Sequence, residues 1–327
     1  MSISHTRARR LVAATILALS VSHVPSASAY AHGVVGKRFF PATIATDDPF
    51  VADELSLPTV SSFREAGENG EPSTRTEEVS AEIAKRLTDE FGLSVGYGWQ
   101  RLKTSGESDR TGWGNLELGA KYQLFTNAEH EALISLGVDA EVGGTGSRRV
   151  DADRFSTITP TVFFGKGLGD LPDSVAFLRP FAVTGLVGYG IPTQAKSSQR
   201  TTDPDTGDID TDIERHPNVI EWGFAIEYSL PYLQANVRDV GLGSFLGRII
   251  PLVEFAFETP TNRGESGKTK GTINPGFLWA GQQMQFGVEA IIPVNDRTGH
   301  DVGVRAQLHF FLDDIFPTTV GKPIFGK

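Results

Sequence analysis

The sequence predicts an all-β protein: a transmembrane antiparallel up-and-down β-barrel of about 12 strands that follows a cleaved signal peptide. Three observations support this fold class. Apolar and polar side chains alternate over segments of about ten residues, short and long gaps alternate between these segments, and aromatic residues recur near their ends. Strict alternation indicates a strand with one face in an apolar medium and the other in a polar one. A strand of about ten residues also matches the length that crosses a bilayer when tilted.

Residues 1–31 have the features of an export signal. Three arginines precede the apolar stretch Leu11–Val21, and Ala27-Ser28-Ala29 and Ala29-Tyr30-Ala31 are candidate cleavage sites. The apolar stretch is too short to span a bilayer as a helix, which favours a removed signal peptide over an uncleaved anchor. Together with the strand pattern, this predicts the cell outer membrane of a Gram-negative bacterium.

Composition excludes several classes of function. The chain of 327 residues carries a formal net charge of −10, and nucleic acid is a poor partner for it because phosphate binding needs a basic surface. It contains no cysteine, which excludes disulfide frameworks, zinc–thiolate sites and thiol nucleophiles. We expect no metal and no cofactor.

Twelve strands are expected, and alternation is clearest in two of them. In Asn115–Phe125 and in Ile220–Leu230, every second residue is apolar or aromatic, with glutamate and glycine among the residues between. The alternation is weaker in the sixth, seventh and tenth strands, and the first contains Pro58, which cannot donate to a ladder. In chain order, the expected strands are Leu55–Phe63, Val79–Leu87, Leu93–Trp99, Asn115–Phe125, Ala132–Val142, Thr157–Gly165, Val175–Tyr189, Ile220–Leu230, Ile249–Phe257, Ile273–Trp279, Met284–Val294 and Val302–Leu312.

Two architectures produce such alternation. The apolar face points inward in a soluble periplasmic sandwich and outward to lipid in an outer-membrane barrel. Strand length, glycine on the polar faces and interfacial aromatic residues favour the barrel. The aromatic residues near strand ends are Trp99, Trp113, Tyr189, Tyr232, Trp279, Phe310 and Phe311.

The gap lengths predict the topology. Thr88–Gly92 is a short gap and Gly190–Asn218 a very long one, and barrels of this class have short periplasmic turns and long outer loops. The gap Pro231–Arg248 is longer than this scheme expects and is the one exception to the alternation. An even strand number with both termini in the periplasm requires the strand Leu55–Phe63. The expected organisation is a barrel over 55–317 and a tail over 318–327. Residues 32–54 are expected to form a periplasmic segment, a plug in the lumen or a flexible leader.

Two stretches resemble a known family. GWGNLELGAKYQLF (Gly112–Phe125) is similar to a strand of the outer-membrane barrels grouped as "MetA-pathway of phenol degradation" or transporter-like proteins, with Asn115 where aspartate is commoner. Gly36–Thr59 resembles the leader of a related subgroup. The resemblance implies export or uptake of solutes near aromatic degradation, so small solutes, hydrophobic or aromatic ones included, are the expected cargo.

The polar strand faces supply the candidate lumen residues. If the lumen is open, unpaired acids there attract cations and repel anions; if it is closed, they form networks with the bases. The candidates are Glu82, Arg86, Glu117, Lys121, Asp139, Glu141, Glu221, Glu227, Glu254, Glu258, Glu289 and Arg305.

The expected function is a channel or transporter for small solutes, with a non-conducting structural barrel or a lipid hydrolase as alternatives. The acidic loop Asp203–Glu214 resembles a calcium loop only weakly, because Asp208 stands where the turn needs glycine, and a solvated loop is the preferred interpretation. His309 is the candidate for a hydrolase, but no G-x-S-x-G motif is present. Expected partners are outer-membrane lipid, the solute and the barrel-assembly machinery during biogenesis, with no nucleic acid.

Overall fold

Twelve antiparallel strands form a closed barrel in a computed structural model that describes residues 33–67, 72–202 and 209–325. The segment 1–31, expected to be a signal peptide, lies outside the described residues. The strands are β1 (Glu54–Glu65), β2 (Thr74–Arg86), β3 (Phe91–Thr104), β4 (Arg110–Trp113 and Leu116–Asn127), β5 (Ala132–Val142), β6 (Thr157–Gly167), β7 (Phe181–Pro192), β8 (Val219–Tyr228), β9 (Ile249–Pro260), β10 (Lys270–Ala280), β11 (Met284–Pro293) and β12 (Gly303–Phe311).

Each strand pairs with its neighbours in the chain, and β12 returns to pair with β1. The register of this closing pair runs from Val304 opposite Ser62 to Phe311 opposite Glu54. Closure satisfies the backbone groups that a sheet edge would leave unpaired. The predicted up-and-down barrel is confirmed.

The apolar face of the sheet points outward. Leu118 and Val304 are 40% and 51% exposed on the outside, and Phe224 stacks on its cross-strand partner Phe255 at a ring-centroid distance of 4.5 Å. The neighbours Glu117 and Arg305 line cavities in the interior. A soluble sandwich would bury the apolar side chains, so this arrangement excludes it and gives the barrel an outer surface suited to lipid.

A β-bulge in strand β1 accommodates Pro58. The pairing of β1 shifts between Ser56 and Thr59 against both of its neighbours, so one extra residue fits there. Leu57 and Pro58 are exposed on the outer side. A bulge is one of the places where a sheet tolerates a proline without losing a ladder hydrogen bond.

The two ends of the barrel differ. At one end, here the short-turn end, lie both ends of the barrel sheet and the tight connections 87–90, 128–131 and 281–283. At the opposite, long-loop end lie the connections 66–73, 105–109, 143–156, 193–218, 261–269 and 294–302. The alternation of short and long gaps corresponds to these two ends except at 168–180 and 229–248, which are long connections at the short-turn end.

Several expected strand boundaries differ from the structure. At the long-loop end, β2 begins at Thr74 rather than at Val79, and β3 ends at Thr104 rather than at Trp99. Two others are wrong at the short-turn end. Residues Asp173–Leu178 form a 3-10 helix after Pro172, so β7 begins at Phe181 rather than at Val175. Strand β8 ends at Tyr228, because the buried Ser229 caps a helical insert whose first turn is Leu230–Tyr232. Hydrophobic residues continue the apparent alternation in both places, which explains the errors.

The longest connection at the long-loop end contains a hairpin of its own. Strands Lys196–Thr202 and Ile209–Arg215 pair antiparallel beyond β7 and β8. The acidic segment Asp203–Glu214 is therefore in part a strand rather than a loop, while residues 203–208 lie outside the described residues. No helix in the described part of the chain is long and apolar enough to span a bilayer.

Candidate functional site

The N-terminal segment Gly33–Asp53, here the plug, lies inside the barrel at the short-turn end. Val35 and Phe40 pack against Leu133 and Ala182 of the wall in one buried apolar cluster. A second cluster joins Phe39 to wall residues of the opposite side, which are Ile250, Leu252, Leu278, Ala280 and Phe311. The plug therefore fills this half of the lumen from wall to wall.

Glycines on the inner face make room for the plug. A Cβ built on Gly223 would lie 2.7 Å from Thr46 Cγ2, and one built on Gly92 would lie 3.0 Å from Val51 Cγ1. These distances leave no space for a side chain on the wall. These two glycines are therefore matched to the plug residues Thr46 and Val51.

Arg38 anchors the start of the plug. Its side chain is fully buried, its Nε donates to Glu131 Oε2 at 3.2 Å, and its Nη1 donates to the carbonyl of Pro180 at 2.9 Å. The guanidinium carbon also lies 3.8 Å from the ring centroid of Tyr232. One plug residue thus joins three connections of the short-turn end.

Glu131 is the centre of this network. Its Oε1 accepts from the Tyr232 hydroxyl at 2.9 Å, and its Oε2 also accepts from the Gly169 amide at 3.1 Å. A buried charged pair is tolerated only when its remaining polar atoms are bonded in this way. Contact with Glu131 and burial also raise the pKa of Tyr232, with burial the larger cause, so the phenol stays a donor.

Glu254 anchors the middle of the plug. This fully buried carboxylate on β9 accepts hydrogen bonds from the amides of Ile44 (2.8 Å), Ala45 (3.0 Å) and Thr46 (2.8 Å) and from the Thr46 hydroxyl (2.9 Å). Charge-assisted hydrogen bonds of this kind are stronger than neutral ones. The wall also donates to plug carbonyls, from Gln285 to Ala42 at 2.6 Å and from Lys121 to Asp48 at 2.7 Å.

Asp53 anchors the end of the plug, where the chain enters β1. Its carboxylate is fully buried and accepts from Lys85 Nζ at 2.6 Å and from Arg86 Nε at 2.9 Å. Arg86 also donates to the carbonyl of Gly321 in the C-terminal segment at 3.0 Å. The plug is therefore tethered where the barrel starts and where it ends.

A polar cavity fills the other half of the lumen. One part has a volume of about 420 Å³ and reaches the long-loop end, and a second part of about 320 Å³ adjoins it. Acids dominate the lining of both parts and include Asp47, Glu65, Glu78, Glu82, Glu117, Asp139, Glu141, Glu221 and Glu258. Lys270, Arg297 and Arg305 are the bases that line the larger part.

The structure divides the candidate lumen residues into two sets. Glu82, Glu117, Asp139, Glu141, Glu221, Glu258 and Arg305 line the open cavity. Lys121, Arg86, Glu227, Glu254 and Glu289 instead contact the plug or lie buried at its level. Glu289 pairs with Arg305 at 3.0 Å, whereas neither carboxylate oxygen of the buried Glu227 has a hydrogen-bond partner among the described residues.

Sequence reasoning missed the anchors Arg38, Glu131 and Asp53. It assigned Tyr232 and Phe311 to the membrane interface, which is wrong, because they are 6% and 1% exposed and pack at the level of the plug. Arg38 has a recognisable signal, since it is a charged residue between apolar pairs in Val34–Phe40. Glu131 has no such signal, because it ends the turn 128–131, where the alternation of polar and apolar residues is interrupted. These residues matter through contacts between distant parts of the chain.

His309 lies inside the barrel. It is 2% exposed on β12, where its Nδ1 lies 2.9 Å from Ser56 Oγ and its Nε2 lies 3.3 Å from Glu54 Oε2. These contacts connect β12 to the start of β1. The ring faces away from lipid, which does not suit a hydrolase acting on membrane lipid.

Comparison with known proteins shows the fold. No family model and no curated protein matches the chain. It is similar to an outer membrane channel from Pseudomonas putida F1, at 10% identity and a TM-score of 0.54 over 84% of this chain and 99% of the other. The NanC porin (10% identity, TM-score 0.44) and the KdgM porin (12%, 0.44) each match over 78% of this chain and 98% of theirs. The chain thus has the fold of an outer-membrane β-barrel.

Proposed function

We propose that the protein is an outer-membrane channel for small solutes in which the plug must move before solutes pass. The observation that carries this proposal is the division of the lumen: an acid-lined cavity reaches the long-loop end, and the plug closes the short-turn end. A purely structural barrel would need no such cavity.

The lining supports a preference for cations. Glu82 and Glu117 line the cavity and have no side-chain hydrogen bond or salt bridge among the described residues, whereas Glu258 lies opposite Lys270 on the neighbouring strand. Unpaired carboxylates inside a low-dielectric wall raise the local concentration of cations and repel anions. We therefore expect permeant solutes to be cationic or neutral.

Orientation follows from the same class of barrel. With the short-turn end in the periplasm, both ends of the sheet and the plug tether lie on that side, as is usual for outer-membrane barrels. Lipid contacts the exposed apolar band, and assembly would use the barrel-assembly machinery. The similarity of Gly112–Phe125 to the "MetA-pathway of phenol degradation" group supports membership of that family and, through it, small hydrophobic or aromatic cargo.

Conductance in planar bilayers tests the proposal. We expect the wild-type protein to conduct in small or rare steps and a variant that lacks residues 33–52 to conduct in larger steps with cation preference. Glu117→Gln should lower the cation preference, whereas Glu77→Gln, which alters the outer face of β2, should not. A plug-deleted barrel that keeps its heat-modifiable mobility but conducts nothing would contradict the channel and favour the structural barrel.

A further inference from the structure

Two connections at the short-turn end are long although the others there are tight. They are 168–180 and 229–248, and the second is here the β8–β9 insert. The 3-10 helix Asp173–Leu178 of the first connection lies beside the helical turn Leu233–Val237 of the second. Strands β8 and β9 are neighbours in the sheet, so a tight turn would be enough to join them. The length of the insert therefore calls for another role.

The β8–β9 insert has a fixed shape. Gln234 closes it into a loop, since its Nε2 donates to the carbonyl of Gly247 at 3.4 Å and its Oε1 accepts from the Leu242 amide at 3.3 Å. A Cβ on Gly247 would collide with Gln234 Nε2 and displace it, so the glycine makes this closure possible. The start of the loop is held by Tyr232, whose hydroxyl donates to Glu131. The insert is thus a built surface with a defined position on the barrel.

The second half of the insert lies on the outer side of the barrel wall. Leu278 packs with the plug inside the barrel, so the adjacent Trp279 faces outward. The Phe245 ring stacks on the Trp279 ring at a ring-centroid distance of 6.0 Å. Phe286, which is opposite Trp279 on β11, is exposed on the same outer face. The insert is therefore continuous with the apolar band that faces lipid.

The insert presents large apolar side chains to its surroundings. Phe245 is 65% exposed, Leu246 is 50% exposed, and Val240 is also exposed. An apolar patch of this kind marks a surface that another molecule or a membrane covers. Because Phe245 rests on Trp279 in the lipid-facing band, the acyl chains of the adjoining bilayer are the nearest medium that can bury these side chains.

Two arginines belong to the same part of the insert. The Arg238 amide donates to the carbonyl of Leu233 at 2.7 Å, next to Gln234. Arg248 directly follows Gly247, which Gln234 contacts from the other side of the loop. The loop closure therefore brings the backbones of the two arginines near each other.

Neither arginine is paired with an acid among the described residues. Arg238 is exposed, and the half-buried Arg248 has its guanidinium carbon 5.6 Å from the ring centroid of Trp279. The one acid in the sequence of the insert, Asp239, accepts from the Gly241 amide at 2.8 Å. The insert is thus net positive on a chain whose formal charge is −10, which suits an anionic surface.

We infer that the β8–β9 insert is an interfacial anchor that binds the phosphate of an acidic phospholipid through Arg238 and Arg248, with Phe245 and Leu246 among the acyl chains. Guanidinium groups bind phosphate oxygens through charge-assisted hydrogen bonds, and tryptophans such as Trp279 mark the depth of the lipid headgroups. Apolar side chains beside cations are typical of segments that lie in the plane of a bilayer. The inference is independent of the channel function, and the orientation proposed above places this lipid in the periplasmic leaflet.

Lipid binding is measured on the purified, folded barrel in neutral detergent by native mass spectrometry with phosphatidylglycerol. We expect the wild-type protein to retain phosphatidylglycerol in preference to phosphatidylcholine. Arg238→Gln/Arg248→Gln should bind phosphatidylglycerol at least about tenfold more weakly, since each arginine at an anionic lipid surface contributes a factor of about five. Arg101→Gln/Arg110→Gln is the matched control, because it removes the same charge from salt-bridged arginines of the long-loop end.

Insertion into the bilayer is measured separately with a single dye, because the chain has no cysteine of its own. An environment-sensitive dye is attached to Leu246→Cys or, as a control, to Asp89→Cys in an exposed tight turn of the same end. In nanodiscs that contain phosphatidylglycerol, we expect the dye at position 246 to emit at a shorter wavelength and to be shielded from iodide. The dye at position 89 should remain in water.

Three results would each overturn the inference. They are equal retention of the two lipids by the wild-type protein, equal weakening by the long-loop control, and a dye at position 246 that iodide reaches as readily as the dye at position 89. Heat-modifiable mobility of every variant shows that the barrel is folded. Neither measurement involves conductance, so failure of the anchor leaves the channel standing, whereas a barrel that binds phosphatidylglycerol but conducts nothing removes the channel alone.

Discussion

At the scale of single residues, buried charges hold the plug in place. Arg38 and Glu131 are both buried and both fully engaged with the short-turn end. Deleting one member of such a pair leaves an uncompensated charge and costs about 3–5 kcal/mol, whereas removing both together costs much less. The network is therefore sensitive to single substitutions in a way that can be measured.

We expect Arg38→Met to release the plug and the double variant Arg38→Met/Glu131→Gln to retain it better. Release is measured as protease cleavage between residues 33 and 53 in the folded barrel and as a rise in conductance. If the double variant were cleaved faster than Arg38→Met, the pair would not act as a unit.

Protonation of Asp48 provides a second residue-scale test. Asp48 is buried in the plug and accepts from the Phe50 amide at 2.8 Å; burial, followed by the nearby charge of Glu54, raises its pKa to about 7. In a released plug, its pKa would return to about 3.8. The docked plug therefore binds a proton more tightly, so docking is strongest at low pH and weakens as the pH rises from about 4 to about 7.

We expect the channel to open more often as the pH rises through this window. Asp48→Asn should lose this part of the pH dependence and stay as closed at pH 7 as at pH 4. The measurement is open probability in planar bilayers from pH 4 to 8, compared between the two proteins. Identical pH profiles would show that Asp48 does not couple protons to the plug.

At the scale of elements, the strands were predictable because each one separates two solvents. Lipid and the polar lumen differ so strongly that the pattern of β8 or β4 is visible in sequence alone. The docking of the plug was not predictable, because it depends on contacts between residues that are far apart in the chain. Thr46 packs against Gly223, and the amides of Ile44–Thr46 donate to Glu254. The helix at Asp173–Leu178 was missed because the spacing of its hydrophobic residues is also compatible with a strand.

The same alternation predicts opposite effects of arginine on the two faces. Phe224→Arg places a charge toward lipid and should cost about 2–4 kcal/mol, which impairs assembly. Ser61→Arg places it in the large cavity and should be tolerated. Ser229, which the strand pattern assigns to the lumen, is unsuitable because it is buried and caps the helical insert. Heat-modifiable gel mobility measures assembly, and equal assembly of both variants would mean that the faces are wrongly assigned.

At the scale of the whole molecule, the closed barrel and its two unlike ends predict location and orientation. The protein should fractionate with outer membranes and migrate differently before and after heating, since a closed barrel resists detergent. An epitope inserted near Asp205, between the two strands of the long-loop hairpin, should be reached by antibody on intact cells. Labelling only after the outer membrane is broken would reverse the orientation.

The tether at Asp53 gives the plug a defined reach. Residues 33–53 run directly into β1, and in extended form this length of chain spans about 70 Å, more than twice the roughly 30 Å thickness of the hydrocarbon core. Once the contacts of Arg38 with the wall and of Glu254 with the plug are broken, the segment can leave the lumen completely while Asp53 stays fixed. The opened state would therefore carry a free chain at the short-turn end, and another molecule that bound this chain there would keep it from closing the barrel again.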